Sequence, residues 1–160
     1  MSDTCRELLA AFAAAVGFAD FPEPDEDGVC RVSDGSVTFG FGELSDSGEL
    51  LVEARACALP ETGRAKFLSA LARANFQGQG ALGGALAVSD DDWVVLFRRF
   101  PLEGLTAESL AEDFEGLAAM AFEWGRLAEA YRPVAEQEVR KAEETQDFGQ
   151  QTFEGGFLRV

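Results

Sequence analysis

Hydrophobic residues recur along this chain at two different periods, and the switches between them mark its elements. Leu8, Leu9, Phe12 and Val16 fall on one side of a helix. The spacing Thr4-Cys5-Arg6-Glu7 predicts a capping box at its start, with Gly17 near its end. An acidic, proline-containing connection from Phe18 to Gly28 follows.

The period then changes to two. Val29 to Val32 reads as a first strand, and Asp34-Gly35 as the turn of a hairpin. Val37, Phe39 and Phe41 alternate with Thr38, Gly40 and Gly42, which makes one face of a second strand bulky and the other nearly bare. After Ser-Asp-Ser-Gly, Glu49 to Leu59 is long and alternating. Leu50, Val52, Ala54, Ala56 and Ala58 share one face, and Leu51, Glu53, Arg55 and Cys57 the other. These three strands form an antiparallel meander.

Pro60 and Thr62 announce a second helix, with Phe67, Leu68, Leu71 and Ala74 on its apolar side and a stop near Asn75-Phe76. A glycine run leads into a strand from Ala85 to Ser89. Asp90-Asp91-Asp92 makes a turn, and Trp93 to Phe100 is apolar on both faces, as in a central strand. Thr106 caps the last helix. Its stripe of Leu110, Phe114, Leu117, Ala121, Trp124, Ala128 and Tyr131 steps by three and four, the spacing of core packing.

The predicted order is helix, three strands, helix, two strands, helix: an α+β domain with a mostly antiparallel, twisted sheet packed with helices. The expected domain covers 1–132. Residues 133–160 form an extension expected to be partly helical or disordered. Its polar part, Glu136 to Gln151, is followed by an apolar end, Phe153 to Val160.

Composition narrows the partners. With 29 acidic against 13 basic residues, the 160-residue chain carries a formal charge of −16 and a sequence pI near 4.2. Such a surface repels phosphate backbones and anionic membranes, and attracts basic peptide segments. The apolar run Leu8 to Ala19 is too short to span a bilayer and lacks a basic leader, so a cytoplasmic protein is expected.

Candidate chemistry is sparse. Asn75 to Val88 contains a literal G-x-G-x-x-G at Gly78, Gly80 and Gly83. A dinucleotide site needs a strand before the glycines and a helix after them, and here the order is reversed. The run reads instead as a helix terminator and a flexible lead into a strand. Asp90-Asp91-Asp92 lacks the spaced ligands of a calcium loop and reads as a solvated turn. Cys5, Cys30 and Cys57 are odd in number, and no pair has metal-ligand spacing. The chain has no histidine. No hydrolytic triad is visible, and neither an enzyme, a metal nor a cofactor is expected.

The run Leu71 to Leu117 resembles the class I type III secretion chaperones, the Tir-chaperone-like (CesT-like) family. The likeness lies in a helix ending in Ala-Asn-Phe, a glycine-bearing link, and a strand with an acidic turn. An apolar strand ending in Arg98-Arg99 and Pro-Leu-Glu-Gly-Leu then precedes a final amphipathic helix. Leu8 to Gly17 and Val29 to Val32 look like the family's first helix and strand, so the resemblance covers about residues 4 to 131.

The resemblance implies a homodimer that catalyses nothing. It would hold an extended segment near the N-terminus of a secreted effector, keeping that effector soluble and export-competent. An alternative within the fold is a regulatory anti-activator or partner-switching protein. The candidate effector-binding residues are Leu9, Phe12, Val16, Phe39, Phe41, Val52, Trp93 and Val95, on a surface suited to strand addition or to apolar grooves. The dimer interface implied by the resemblance comprises Phe67, Leu71, Phe76, Leu82, Gly83, Gly84 and Leu86, with the glycines allowing close approach of two subunits.

Overall fold

The first helix, α1 (Asp3–Val16), is capped by Ser2 rather than Thr4: the Ser2 side chain accepts from the Cys5 amide. Ser2 is preferred because it is tied a second time, through its own amide and hydroxyl, to the Glu43 carboxylate. Gly17 ends the helix in the left-handed conformation that glycine adopts without penalty. A computed structural model describes residues 1–18, 21–35 and 37–131 of the protein. The expected extension, 133–160, lies outside the described residues.

Strands β1 (Val29–Asp34), β2 (Val37–Leu44) and β3 (Glu49–Ala58) form the predicted meander. The hairpin turns one residue later than expected, since Asp34 still pairs with Val37. Next come α2 (Arg64–Asn75), a 3-10 helix (Phe76–Ala81), β4 (Ala85–Val88), β5 (Trp93–Pro101) and α3 (Ala107–Glu129). The cap of α2 is Gly63, not Thr62. Gly63 takes a positive φ and lies against the Tyr131 ring, where a side chain would collide. The five strands lie in the order β1-β2-β3-β5-β4, all antiparallel, which leaves β1 and β4 at the edges.

The glycine run is not a flexible lead. Its residues make the 3-10 helix, whose Gly80 touches Ala74 and whose carbonyl accepts the Trp124 indole N–H at 3.3 Å. Close approach to α2 and α3 is what excludes a side chain here.

One hydrophobic core lies on one side of the sheet. All three helices contribute to it: Leu9 and Phe12 from α1, Phe67 and Leu71 from α2, and the Leu110-to-Ala128 stripe from α3. The sheet supplies Phe39, Phe41, Leu50, Val52, Leu96 and Leu86. Phe12 sits at its centre, with ring centroids 5.3 Å from Phe41 and 5.2 Å from Phe114. Phe18 and Phe21 of the acidic connection pack on the same rings, so that segment is anchored by aromatics. Leu68, expected on the inner side of α2, is exposed.

A bulge in β3 between Arg55 and Cys57 breaks the predicted alternation. It leaves Ala58 exposed and turns Cys57 toward α3, where its thiol donates to the Trp124 carbonyl at 3.6 Å. On β5, Arg98 pairs with core residue Val52 and thus faces α3. Its guanidinium meets Asp113 at 2.7 Å and lies over the Phe100 ring.

Candidate functional site: an uncovered sheet face

Side chains alternate across a sheet, so a core on one side defines a second face. Three rows cross it. Arg31, Gly40, Glu53, Phe97 and Ala85 form one, with a residue from each strand. Ser33, Thr38, Arg55, Val95 and Ala87 run beside it, and Val29, Gly42, Leu51 and Arg99 flank it on the other side. None of Leu51, Trp93, Val95 and Phe97 belongs to the core or packs against it. No helix of the described residues covers them.

The face is apolar along β5 and charged on the adjacent central strand, where Glu53 pairs with Phe97 and Arg55 with Val95. Trp93, Val95 and Phe97 follow one another on β5, and Leu51 of β3 stands diagonal to Phe97, opposite Arg99. The Arg55 guanidinium stacks 4.7 Å above the Trp93 ring and donates to Asp91 at 2.7 Å. Arg31 pairs with Asp25, and Arg99 with Glu49 at 3.8 Å. Solvated pairs of this kind contribute little to stability. Here they hold Arg31 and Arg99 in place, while Arg55 stays stacked on one end of the apolar strip. Gly40 and Gly42 leave the β2 stretch bare, and Glu53 lies across Gly40, where an added Cβ would come within 2.7 Å of its carboxylate.

The two sheet edges are unequal. On β4, Asn75 Oδ1 accepts the Leu86 amide at 2.8 Å while Nδ2 donates to the Leu86 carbonyl at 2.9 Å. That side chain occupies the edge as a neighbouring strand would. On β1, Asp25 holds both the amide and the carbonyl of Val29. The antiparallel alternation therefore directs Arg31 and Ser33 outward as well, and no described backbone group pairs with them there. The β1 edge is open beyond Val29.

The structure sorts the sequence candidates sharply. Leu9, Phe12, Phe39, Phe41 and Val52 are buried to within about 1% of full coverage in the protein's own core, so no partner reaches them without displacing it. Val16 is half-buried against that core. Trp93 and Val95 lie together on the uncovered face, beside Leu51 and Phe97, which sequence reasoning did not select. The alternation in β3 and the two-faced apolar run of β5 both carried the signal for them.

Of the dimer candidates, Phe67, Leu71 and Leu86 are core residues. Gly84 is pressed against the Phe97 carbonyl, 2.2 Å from where a Cβ would stand. Gly83 is open to solvent, Leu82 is 39% exposed and Phe76 is 72% exposed. The Asp90-Asp91-Asp92 turn is built by ion pairs: Asp91 to Arg55, and Asp92 to Arg64 at 2.5 Å. Among the described residues no cluster of acidic or cysteine side chains has the arrangement of a metal site. No helix among them is long and apolar enough to cross a membrane.

The apolar strip on β5 and the open edge of β1 lie on opposite flanks of the sheet, with β2 and β3 between them. Residues 7–125 match the sequence profile of the Tir chaperone protein (CesT) family, and the chain belongs to that family. No curated protein sequence matches it.

Solved structures match the fold. The crystal structure of the ExsC-ExsE complex contains a chain 23% identical, superposing with a TM-score of 0.63 over 80% of this chain and 97% of the other. In the HopA1-SchA chaperone-effector complex the matching chain is 15% identical, with a TM-score of 0.60 over 77% and 94%. The Yersinia pestis type III secretion chaperone SycH, in complex with a stable fragment of YscM2, yields a match of 23% identity and TM-score 0.59 over 75% and 98%. At these identities the likeness is one of fold.

Proposed function

We propose that this protein is a cytoplasmic type III secretion chaperone. It binds an extended segment near the N-terminus of a secreted effector and keeps that effector soluble and export-competent. The observation that carries the reading is the uncovered face around Trp93, Val95, Phe97 and Leu51; the open β1 edge, across β2 and β3 from it, is a second place for backbone pairing. An extended segment added at Arg31 to Ser33 gains backbone hydrogen bonds, and a separate stretch laid across the sheet face meets the apolar strip on β5. Family membership and the chaperone-effector complexes among its structural relatives support the same reading. The mechanism asks only for binding: nothing in the site requires a nucleophile, a cofactor or a small-molecule substrate.

The working unit is a homodimer. Phe76 and Leu82, exposed at either end of the 3-10 helix, are its contact residues, and Phe67, Leu71, Gly84 and Leu86 shape that surface from beneath. The strongly acidic body keeps a protein with a half-buried apolar strip on its surface dispersed, and draws basic segments to it.

Capture of partners by the tagged full-length chain from its own source, followed by truncation mapping, tests this. Recovery of a large protein through a short, protease-sensitive segment near its N-terminus, lost with Phe97→Glu, supports the chaperone. Recovery of small regulatory proteins alone assigns it to the anti-activator alternative. Partner binding that survives both Phe97→Glu and Val95→Glu removes the uncovered face as the site.

A further inference from the structure

The three rows of the uncovered face carry charged side chains at Arg31, Glu53, Arg55 and Arg99. Each arginine has an acidic partner: Asp25 for Arg31, Asp91 for Arg55 and Glu49 for Arg99. Glu53 has no hydrogen-bond or ion-pair partner among the described residues. It is also the most central of them. Strand β3 is the middle strand of the sheet, and Glu53 lies between Gly40 of β2 and Phe97 of β5.

The Glu53 side chain is half-buried and folded over Gly40. A Cβ added at Gly40 would stand 2.8 Å from its Cγ and 2.7 Å from its Oε1. The bare position on β2 is therefore the seat of this carboxylate. A segment laid across the face covers it. Taking a carboxylate out of water without a partner is costly, and a cation set against it offsets that cost and fixes the register of the segment.

We propose that Glu53 recognises a lysine or arginine of the bound segment, seated over Gly40, while an apolar residue of the same segment lies on Val95 and Phe97. This rests on the uncovered face as the binding site and names what that face selects. The spacing follows from the sheet. From β5 to β2 is two strand separations, roughly 10 Å. In an extended segment crossing the strands, residues two apart share a side and stand about 7 Å from each other. The long arm of a lysine or arginine covers the difference. The recognised pattern is thus an apolar residue and a basic one with a single residue between them. The formal charge of −16 brings such segments to the protein, and Glu53 gives the attraction a fixed place on it.

The test selects short random peptides, displayed on phage, against the full chain. Peptides carrying the apolar and basic pair are expected. With Glu53→Gln the apolar residue should remain and the basic one lose its preference, and with Glu53→Lys an acidic residue should replace it. Glu103→Gln removes the same charge from an exposed turn after β5 and should leave the pattern intact. In titration, the strongest wild-type peptide should bind Glu53→Gln about tenfold more weakly. The same peptide with norleucine for its basic residue should not distinguish the two proteins. A basic preference that survives Glu53→Gln, or that Glu103→Gln also abolishes, overturns the proposal and assigns the preference to overall charge. Peptides that need Phe97 but carry no basic residue overturn it and leave the face standing as the site. Peptides indifferent to Phe97→Glu, or a failure to select any, remove the face and the proposal together.

Discussion

Asn75 grips Leu86 by both backbone polar groups at once, 2.8 Å from the amide and 2.9 Å from the carbonyl. A side chain at the end of one helix thereby stands in for a missing strand. Exposed edges invite pairing with other chains, and this contact closes one of them. Asn75→Ala should cost about 1–3 kcal/mol for the two lost bonds and the groups left without partners. It should also promote self-association through β4. Urea unfolding and sedimentation velocity measure the two effects.

Stability and binding should separate by sheet face. Leu9→Ala and Phe41→Ala remove fully buried side chains and should lower stability by roughly 2–5 kcal/mol. Phe97→Glu and Val95→Glu lie on the uncovered side and should shift stability by less than about 1 kcal/mol. The same two changes should weaken effector-segment binding by more than about tenfold. Parallel thermal melts and titration calorimetry would show the division.

The glycines of the link differ from one another. Gly84→Val drives a side chain into the Phe97 carbonyl and should cost about 3 kcal/mol within a single protomer. Gly83→Ala meets open space and pays only for its positive φ, roughly 1 kcal/mol. Loss of a dimer on changing both glycines to valine would therefore mix folding with assembly. Phe76→Asp and Leu82→Asp are the cleaner pair: full-length protein should remain folded and become monomeric by light scattering.

Two groups set opposite pH limits. Burial, followed by the charges of Glu43 and Cys30, raises the Cys5 thiol from 9.0 to about 11. Folding thus favours the protonated thiol, and the stability it brings is intact below pH 9.0 and lost between there and about pH 11. Glu43 behaves in reverse. The Ser2 amide holds its carboxyl below the ordinary 4.5, so its contribution is present above that pH and fades as the solution becomes more acidic. Denaturation midpoints across pH 3–11 should flatten at the alkaline end in Cys5→Ala and at the acid end in Glu43→Gln.

Element order and the α3 stripe were legible because each rests on a period sustained over many residues. Every stripe residue from Leu110 to Ala128 is buried, and Thr106 caps its helix with Ser109 as reciprocal partner. Local ends were less legible. Ser2 displaced Thr4 as the first cap because a distant residue, Glu43, rewards it, and distance along the chain hides such ties. The site was half legible. Alternation separates the faces of β3 and β5 but does not say which face the helices cover, so core residues such as Phe39 and Val52 were expected to bind. The Asn75 clamp leaves no trace in sequence, since an asparagine at a helix end ordinarily means only a stop.

The unequal sheet edges have a consequence for assembly. A unit with two reactive ends can polymerise, whereas a unit with one can only be terminated. With β4 stopped at Leu86 and β1 open beyond Val29, this sheet is monofunctional in the polymer chemist's sense. Copies of the sheet that meet edge to edge can therefore join only through β1, so self-pairing stops at two in place of a growing fibre.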